Sequence, residues 1–191
     1  MPGNSLKIML TTIMLATSSL TVAPIGLQAA HAEVPAGGAK MYPNKNIIQN
    51  AVNSKDHTTL VAAVKAAGLV QTLEGPGPFT VFAPTNAAFA KLPKGAVETL
   101  LKPESKSKLV RILTAHVVPG EMSGKELIGK IKQNGGKYEM KTVSGDTLAA
   151  EFQGKKLYIV DKMGGRAQVT IPDLNQSNGV IHVVNAVLLP E

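Results

Sequence analysis

The sequence predicts a single α+β domain, with helices in its first half and an antiparallel sheet in its second. Three observations lead there. Apolar residues recur at helical spacing from about Leu60 to Ile131, and then give way to short extended runs separated by turn residues. Nothing alternates strand, helix and strand as a doubly wound sheet would. A chain that is 44% hydrophobic and only 17% charged can offset its ordering entropy by burial, which excludes disorder for its bulk.

The first 32 residues are set apart from the domain. One Lys, a 15-residue mostly apolar run from Ile8 to Val22, and then Pro24 and Gly26 make up most of the segment. The run falls short of the roughly 20 residues that span hydrocarbon. Ala30 and Ala32 supply the A-x-A pattern of a signal-peptidase site. Residues 1–32 therefore read as a secretory signal peptide cleaved after Ala32, by the general route because no twin Arg precedes the apolar run. An uncleaved anchor is the alternative, and the same length argues against it. Residues 33–45, small, polar and punctuated by Gly and Pro, read as a flexible lead-in, and residues 46–190 as the domain.

Along the domain, Leu60, Val61, Val64 and Ala67 share one helical face, with Gly68 placed for a left-handed cap. Gly75 to Pro78 breaks any helix. Phe79 to Ala83 is a continuous apolar run and reads as a strand buried on both faces, ended by Pro84. Thr85 or Asn86 can cap a short helix over Ala87 to Leu92, stopped at Pro93. Pro103 suits a first helical position, and Leu109, Ile112 and Leu113 repeat at helical spacing before the chain extends at His116 and breaks at Pro119-Gly120. Ser123 and Glu126 form a capping box ahead of a stripe of Leu127, Ile128 and Ile131. Runs at Tyr138–Val143, Thr147–Phe152, Leu157–Val160 and Ala167–Ile171 are separated by Gly-containing turns and predict an antiparallel meander. Val180 to Leu189, the longest apolar run of the domain, should be its central strand.

Chemistry is narrowed mainly by exclusion. With no Cys, the chain has no disulfide scaffold, thiolate zinc site or thiol nucleophile. The net charge of +7 comes from scattered Lys, with Arg only at positions 111 and 166, and guanidinium forks and aromatic stacking are too scarce for a nucleic-acid partner. His57, His116 and His182 stand apart from one another and from carboxylates at metal-ligand spacing, so no metal and no cofactor are expected. Gly120 to Glu126 is one residue short of a phosphate loop and ends in a carboxylate. Ser105 to Lys108 fits S-x-x-K without its partner motifs, and no G-x-S-x-G occurs. Asp146, Asp161 and Asp173 occupy turn-like settings in which a carboxylate bonds its own backbone. No nucleophile, base and oxyanion hole assemble, so no enzyme is expected.

Three ordered segments carry a resemblance: TVFAPTNAAFAKLP (Thr80 to Pro93), LVRILTAHVVPGEM (Leu109 to Met122) and NGVIHVVNAVLLP (Asn178 to Pro190). Within them stand Thr80, Phe82, Pro84, Thr85, Asn86 and Phe89, then His116, Pro119 and Gly120, then Asn178, Gly179, His182 and Asn185. The pattern resembles the fasciclin-like domain over residues 46–190, and is similar to its small secreted single-domain bacterial members. The resemblance implies helices packed on a bent antiparallel β-sheet wedge, used outside the cytoplasm for adhesion and not for catalysis. A Tyr-His pair linked to integrin-dependent adhesion in animal members corresponds here to Ala115 and His116, so these are the candidate binding residues, with the Tyr missing. Asn86 and Asn185 stand where the family usually has Asp.

Phe79–Ala83 and Val180–Val184 are expected to pair side by side in the core, with Asn178-Gly179 as the turn before the last strand. His182 should find buried partners for its ring, and His116 lies at a helix-to-strand junction. The function these readings imply is a secreted or periplasmic adhesion module that binds a protein or polysaccharide surface through loops and one sheet edge. Two alternatives are a Lys-rich protein held on anionic envelope lipid or polysaccharide, and a small-molecule binder using a cleft between helices and sheet.

Overall fold

Two short antiparallel strands, β1 (Val34–Ala36) and β2 (Ala39–Met41), stand at the start of the structure, a computed structural model that describes residues 34–36 and 39–190. The expected signal peptide lies outside the described residues. Within the segment read as a lead-in, Met41 is buried, and Asn50 holds Tyr42 by both its amide oxygen and its amide nitrogen. Amide clamps of this kind leave no periodic trace in a sequence.

The helical half comprises α1 (Ile47–Ala51), α2 (Thr58–Ala67), α3 (Val70–Glu74), α4 (Asn86–Phe89), α5 (Ala96–Leu100), α6 (Lys106–Ala115) and α7 (Gly124–Gln133). α2 ends at Gly68 in the left-handed conformation, as its position predicts. It buries Ala63 rather than Val61, which is only half-buried. Thr85 caps α4, which is shorter than expected and ends at Phe89. The Ser123–Glu126 capping box opens α7, and Leu127 and Ile131 are buried; Ile128, expected in the same stripe, is 37% exposed. Leu127 and Ile131 are four residues apart and share the face against the sheet, whereas Ile128 is turned about 100° away from Leu127 toward the edge of that face.

The strands are β3 (Phe79–Pro84), β4 (Val117–Pro119), β5 (Lys137–Lys141), β6 (Thr147–Gln153), β7 (Lys156–Val160), β8 (Arg166–Gln176) and β9 (Gly179–Val184). They form one sheet in the order β4-β3-β9-β8-β7-β6-β5. β5 to β9 run antiparallel in sequence order, the expected meander. β3 and β9 pair side by side as expected, but in parallel, so the sheet is mixed rather than purely antiparallel. The last strand is central and ends at Val184, with Ala186 to Leu189 beyond the sheet.

Two cores explain why β3 and β9 are apolar apart from Thr80 and His182. Val81, Ala83, Ile181 and Val183 face Leu60, Val64 and Leu113 of the helical layer. Phe82 and Val184 face Leu127, Ile131, Leu148 and Ile159 on the other side. A strand enclosed on both faces has no polar side to alternate with. Just beyond β5, the Val143 N–H donates to the Val117 carbonyl of β4 at 2.8 Å, so the two ends of the sheet meet in part.

Candidate functional site

The three segments singled out in the sequence converge on the β3–β9 pair, where their polar groups bond one another. The parallel register sets Phe82 beside His182, whose rings stack at 5.7 Å between centroids. The Asp173 N–H donates to His182 Nδ1 at 3.2 Å, which assigns the ring proton to Nε2, and Nε2 donates to the Met122 carbonyl at 2.9 Å. Thr80 Oγ1 donates to the Gly120 carbonyl and accepts from the Met122 N–H, fixing the same turn. Asp173, expected to bond its own turn, instead reaches across to accept the Gly124 N–H at the start of α7, at 2.6 Å, from a positive φ of 59°. No periodic signal in the sequence marks that pairing.

His116 is 2% exposed and uses the opposite tautomer. Its Nε2 accepts the Leu188 N–H at 2.9 Å, so Nδ1 carries the proton and donates to the Ile112 carbonyl at 2.8 Å. Burial drives its pKa down to about 4, against the opposing pull of the Ile112 carbonyl and of Asp161. Burial also lowers the pKa of His182. Asp161 accepts the Gly165 N–H of its own turn, as expected, and with its other oxygen the Leu189 N–H. The backbone that follows β9 is therefore pinned at two successive residues by His116 and Asp161.

Asn86 and Asn185 show what an amide does at these positions. Asn86 accepts from the Thr59 N–H and Thr58 Oγ1, and its Nδ2 donates to the Lys55 carbonyl at 2.9 Å, a bond that a carboxylate could not make. Asn185 accepts the Gln168 N–H, and its own N–H donates to the Gln168 carbonyl, continuing the β8–β9 ladder by side-chain mimicry. Asn178 joins three elements: it accepts the Ile47 N–H and donates to the Leu73 and Gly75 carbonyls. Gly179 follows because a Cβ there would stand 2.0 Å from the Phe79 carbonyl oxygen.

The candidate binding residues Ala115 and His116 are both interior, at 1% and 2% exposure. The remaining imidazole among the described residues, His57, is also buried, and its Nδ1 meets Ser54 Oγ at 2.7 Å. Ser54 is 1% exposed, so this Ser–His contact has no path to a substrate in this conformation. Among the described residues no group of three or more His, Asp and Glu converges as a metal site. A cavity lined mainly by apolar side chains, with His116 and Lys65 among them, lies between the helices and the sheet and holds about 40 Å³, well below the roughly 300 Å³ at which small-molecule pockets start.

Outside, two adjoining hollows of about 500 and 600 Å³ share Lys108, Ile112 and Leu189. They form a groove between α5, α6 and the segment after β9. Lys94, Lys108 and Arg111 line it, and no acidic side chain does among the described residues. Leu189 and Met163, 41% and 69% exposed, add apolar surface. Sequence reading missed this groove, because its cations come from separate elements and its apolar residues look like the end of a core strand and a turn.

Comparison with known proteins gives the same picture. The fasciclin domain family model matches residues 55–190. Protein sll1483 of Synechocystis is 46% identical over 144 residues, covering 75% of this chain and 73% of that protein. Immunogenic protein MPB70 of Mycobacterium bovis is 34% identical over 145 residues, covering 73% of this chain and 66% of that protein. Among solved structures, a FAS1 domain pair from the insect cell adhesion molecule fasciclin I superimposes with a TM-score of 0.68 at 19% identity, covering 84% of this chain and 58% of that one.

Proposed function

This chain belongs to the fasciclin domain family, and on that basis we propose that it acts outside the cytoplasm as a non-catalytic adhesion module, binding a protein or polysaccharide surface. The supporting observation is that the shared motif residues lie largely within the domain. Ala115, His116, His182 and Phe82 are each 2% exposed or less, and both ring nitrogens of His116 and His182 are bonded to backbone. Their work is to hold the frame. Recognition falls to the outer loops and grooves, where substitution does not disturb the core.

Export is part of the same reading: protein collected outside the cytoplasm should begin at Glu33. Purified protein should be retained on cell surfaces or matrix polymers at micromolar concentration, and should stay bound in roughly 0.2 M salt. Retention that disappears at that salt would favour the alternative of a Lys-rich protein held on anionic envelope lipid or polysaccharide. No retention on any such surface would refute the adhesive role.

A further inference from the structure

We propose that the groove between α5, α6 and the segment after β9 seats an acidic, amphipathic peptide segment of a partner protein. This deepens the adhesion-module reading and rests on it. The occupant's carboxylates would meet Lys94, Lys108 and Arg111, and its apolar side chains would cover Leu189 and Met163.

Charge complementarity selects the sign. Among the described residues Lys94 and Lys108 have no ion-pair partner, and Glu98, whose carboxylate lies beside Gly95 of the lining, pairs with neither. Arg111 meets Asp146 at 3.3 Å, yet its side chain is 53% exposed, which leaves guanidinium N–H groups open to a second carboxylate. The apolar component selects the class. Exposed Leu189 and Met163 beside these cations match alternating acidic and aliphatic side chains. A polysaccharide finds no aromatic ring in the lining on which to lay a sugar face, and a lipid headgroup leaves the exposed Leu189 and Met163 uncovered.

The groove is also preorganised. Leu189 presents its side chain from a backbone pinned at Leu188 by His116 Nε2 and at Leu189 itself by Asp161. The wall that a partner meets is thus already ordered, which lowers the entropy lost on docking. Buried motif residues in this way shape an external surface they never touch.

The test measures fluorescence anisotropy of a labelled 12-residue peptide of alternating Glu/Asp and Leu with the full chain. Its Leu→Ser counterpart, dextran sulfate and phosphatidylglycerol vesicles serve as the other arms. The amphipathic peptide should bind about tenfold more weakly to the Lys94→Glu/Lys108→Glu protein. It should bind about fivefold more weakly to Leu189→Asp, and with little change to the charge-matched Lys132→Glu/Lys156→Glu protein, all verified as folded by circular dichroism. The proposal is overturned if the wild type does not bind the amphipathic peptide, or if the counterpart peptide, dextran sulfate or vesicles bind as tightly and Leu189→Asp changes nothing. Surface retention separates the two readings. Retention that survives Lys94→Glu/Lys108→Glu removes the groove from adhesion and leaves the adhesion module standing. Peptide binding without any surface retention does the reverse.

Discussion

Replacing His116 with Phe should make the domain less stable at neutral pH and less sensitive to acid. At pH 7 the substitution leaves the Leu188 N–H and the Ile112 carbonyl without their imidazole partner. Two buried groups left unpaired cost about 2–4 kcal/mol. The pH dependence has the opposite sign. The ring's pKa is about 4 in the folded protein and 6.5 when unfolded, so between those values the unfolded chain binds the extra proton. Its contribution is therefore fully present above pH 6.5 and is lost as the pH falls toward 4. The gap is worth about 3 kcal/mol. Glu126 and Asp146, whose pKa values are lowered by hydrogen bonds from Ser123 and Ser144, also weaken the fold in acid, but they do so equally in both proteins and cancel in the difference. The chain has no Trp, so urea unfolding is best followed by far-ultraviolet circular dichroism at pH 7 and pH 4. The wild type should lose about 3 kcal/mol more than His116→Phe on acidification. Parallel losses in the two proteins would refute the assignment of His116 as a buried neutral ring.

Three further outcomes follow from the packing. Gly179→Ala drives a methyl onto the Phe79 carbonyl and should abolish folding or cost at least about 3 kcal/mol, whereas Gly135→Ala, with open space around it and a φ of 70°, should cost about 1 kcal/mol by thermal melting. Asn178→Ala frees an N–H and two carbonyls at the junction of α1, α3 and β9, and should lower stability by about 2–4 kcal/mol in urea titrations. Leu127→Ala should cost about 2–5 kcal/mol and Ile128→Lys less than about 0.5, and equal effects would show that α7 packs on a different face.

Much of the fold is legible because local rules wrote it. Gly68, Thr85 and the Ser123–Glu126 box end or begin their helices through bonds within a few residues, and the meander turns are similarly local. The parallel pairing of β3 with β9 was less visible, since about a hundred residues separate the strands and direction is fixed by topology. A trace did exist: both runs lack alternation, the mark of strands covered on two faces, which is commonest in parallel sheets. What the sequence could not display were bonds made by single polar side chains across the fold. Asp173 on Gly124, Asn178 on Ile47 and Asp161 on Leu189 join residues with no shared period.

The same physics explains why the most recognisable residues make poor contact residues. His116 and His182 stand out in a sequence because a buried ring must have specific partners, and a ring with both nitrogens bonded to backbone has no donor or acceptor left for a ligand. A surface groove is under the opposite constraint. Lys94, Lys108 and Arg111 can each be exchanged with little effect on folding, so nothing in the core records them. The two are nevertheless joined at Leu188 and Leu189, where interior bonds set the position of an exterior wall. Loss of the His116 bond to Leu188 should therefore weaken groove binding even in a variant that still folds, with no change in any residue a partner touches.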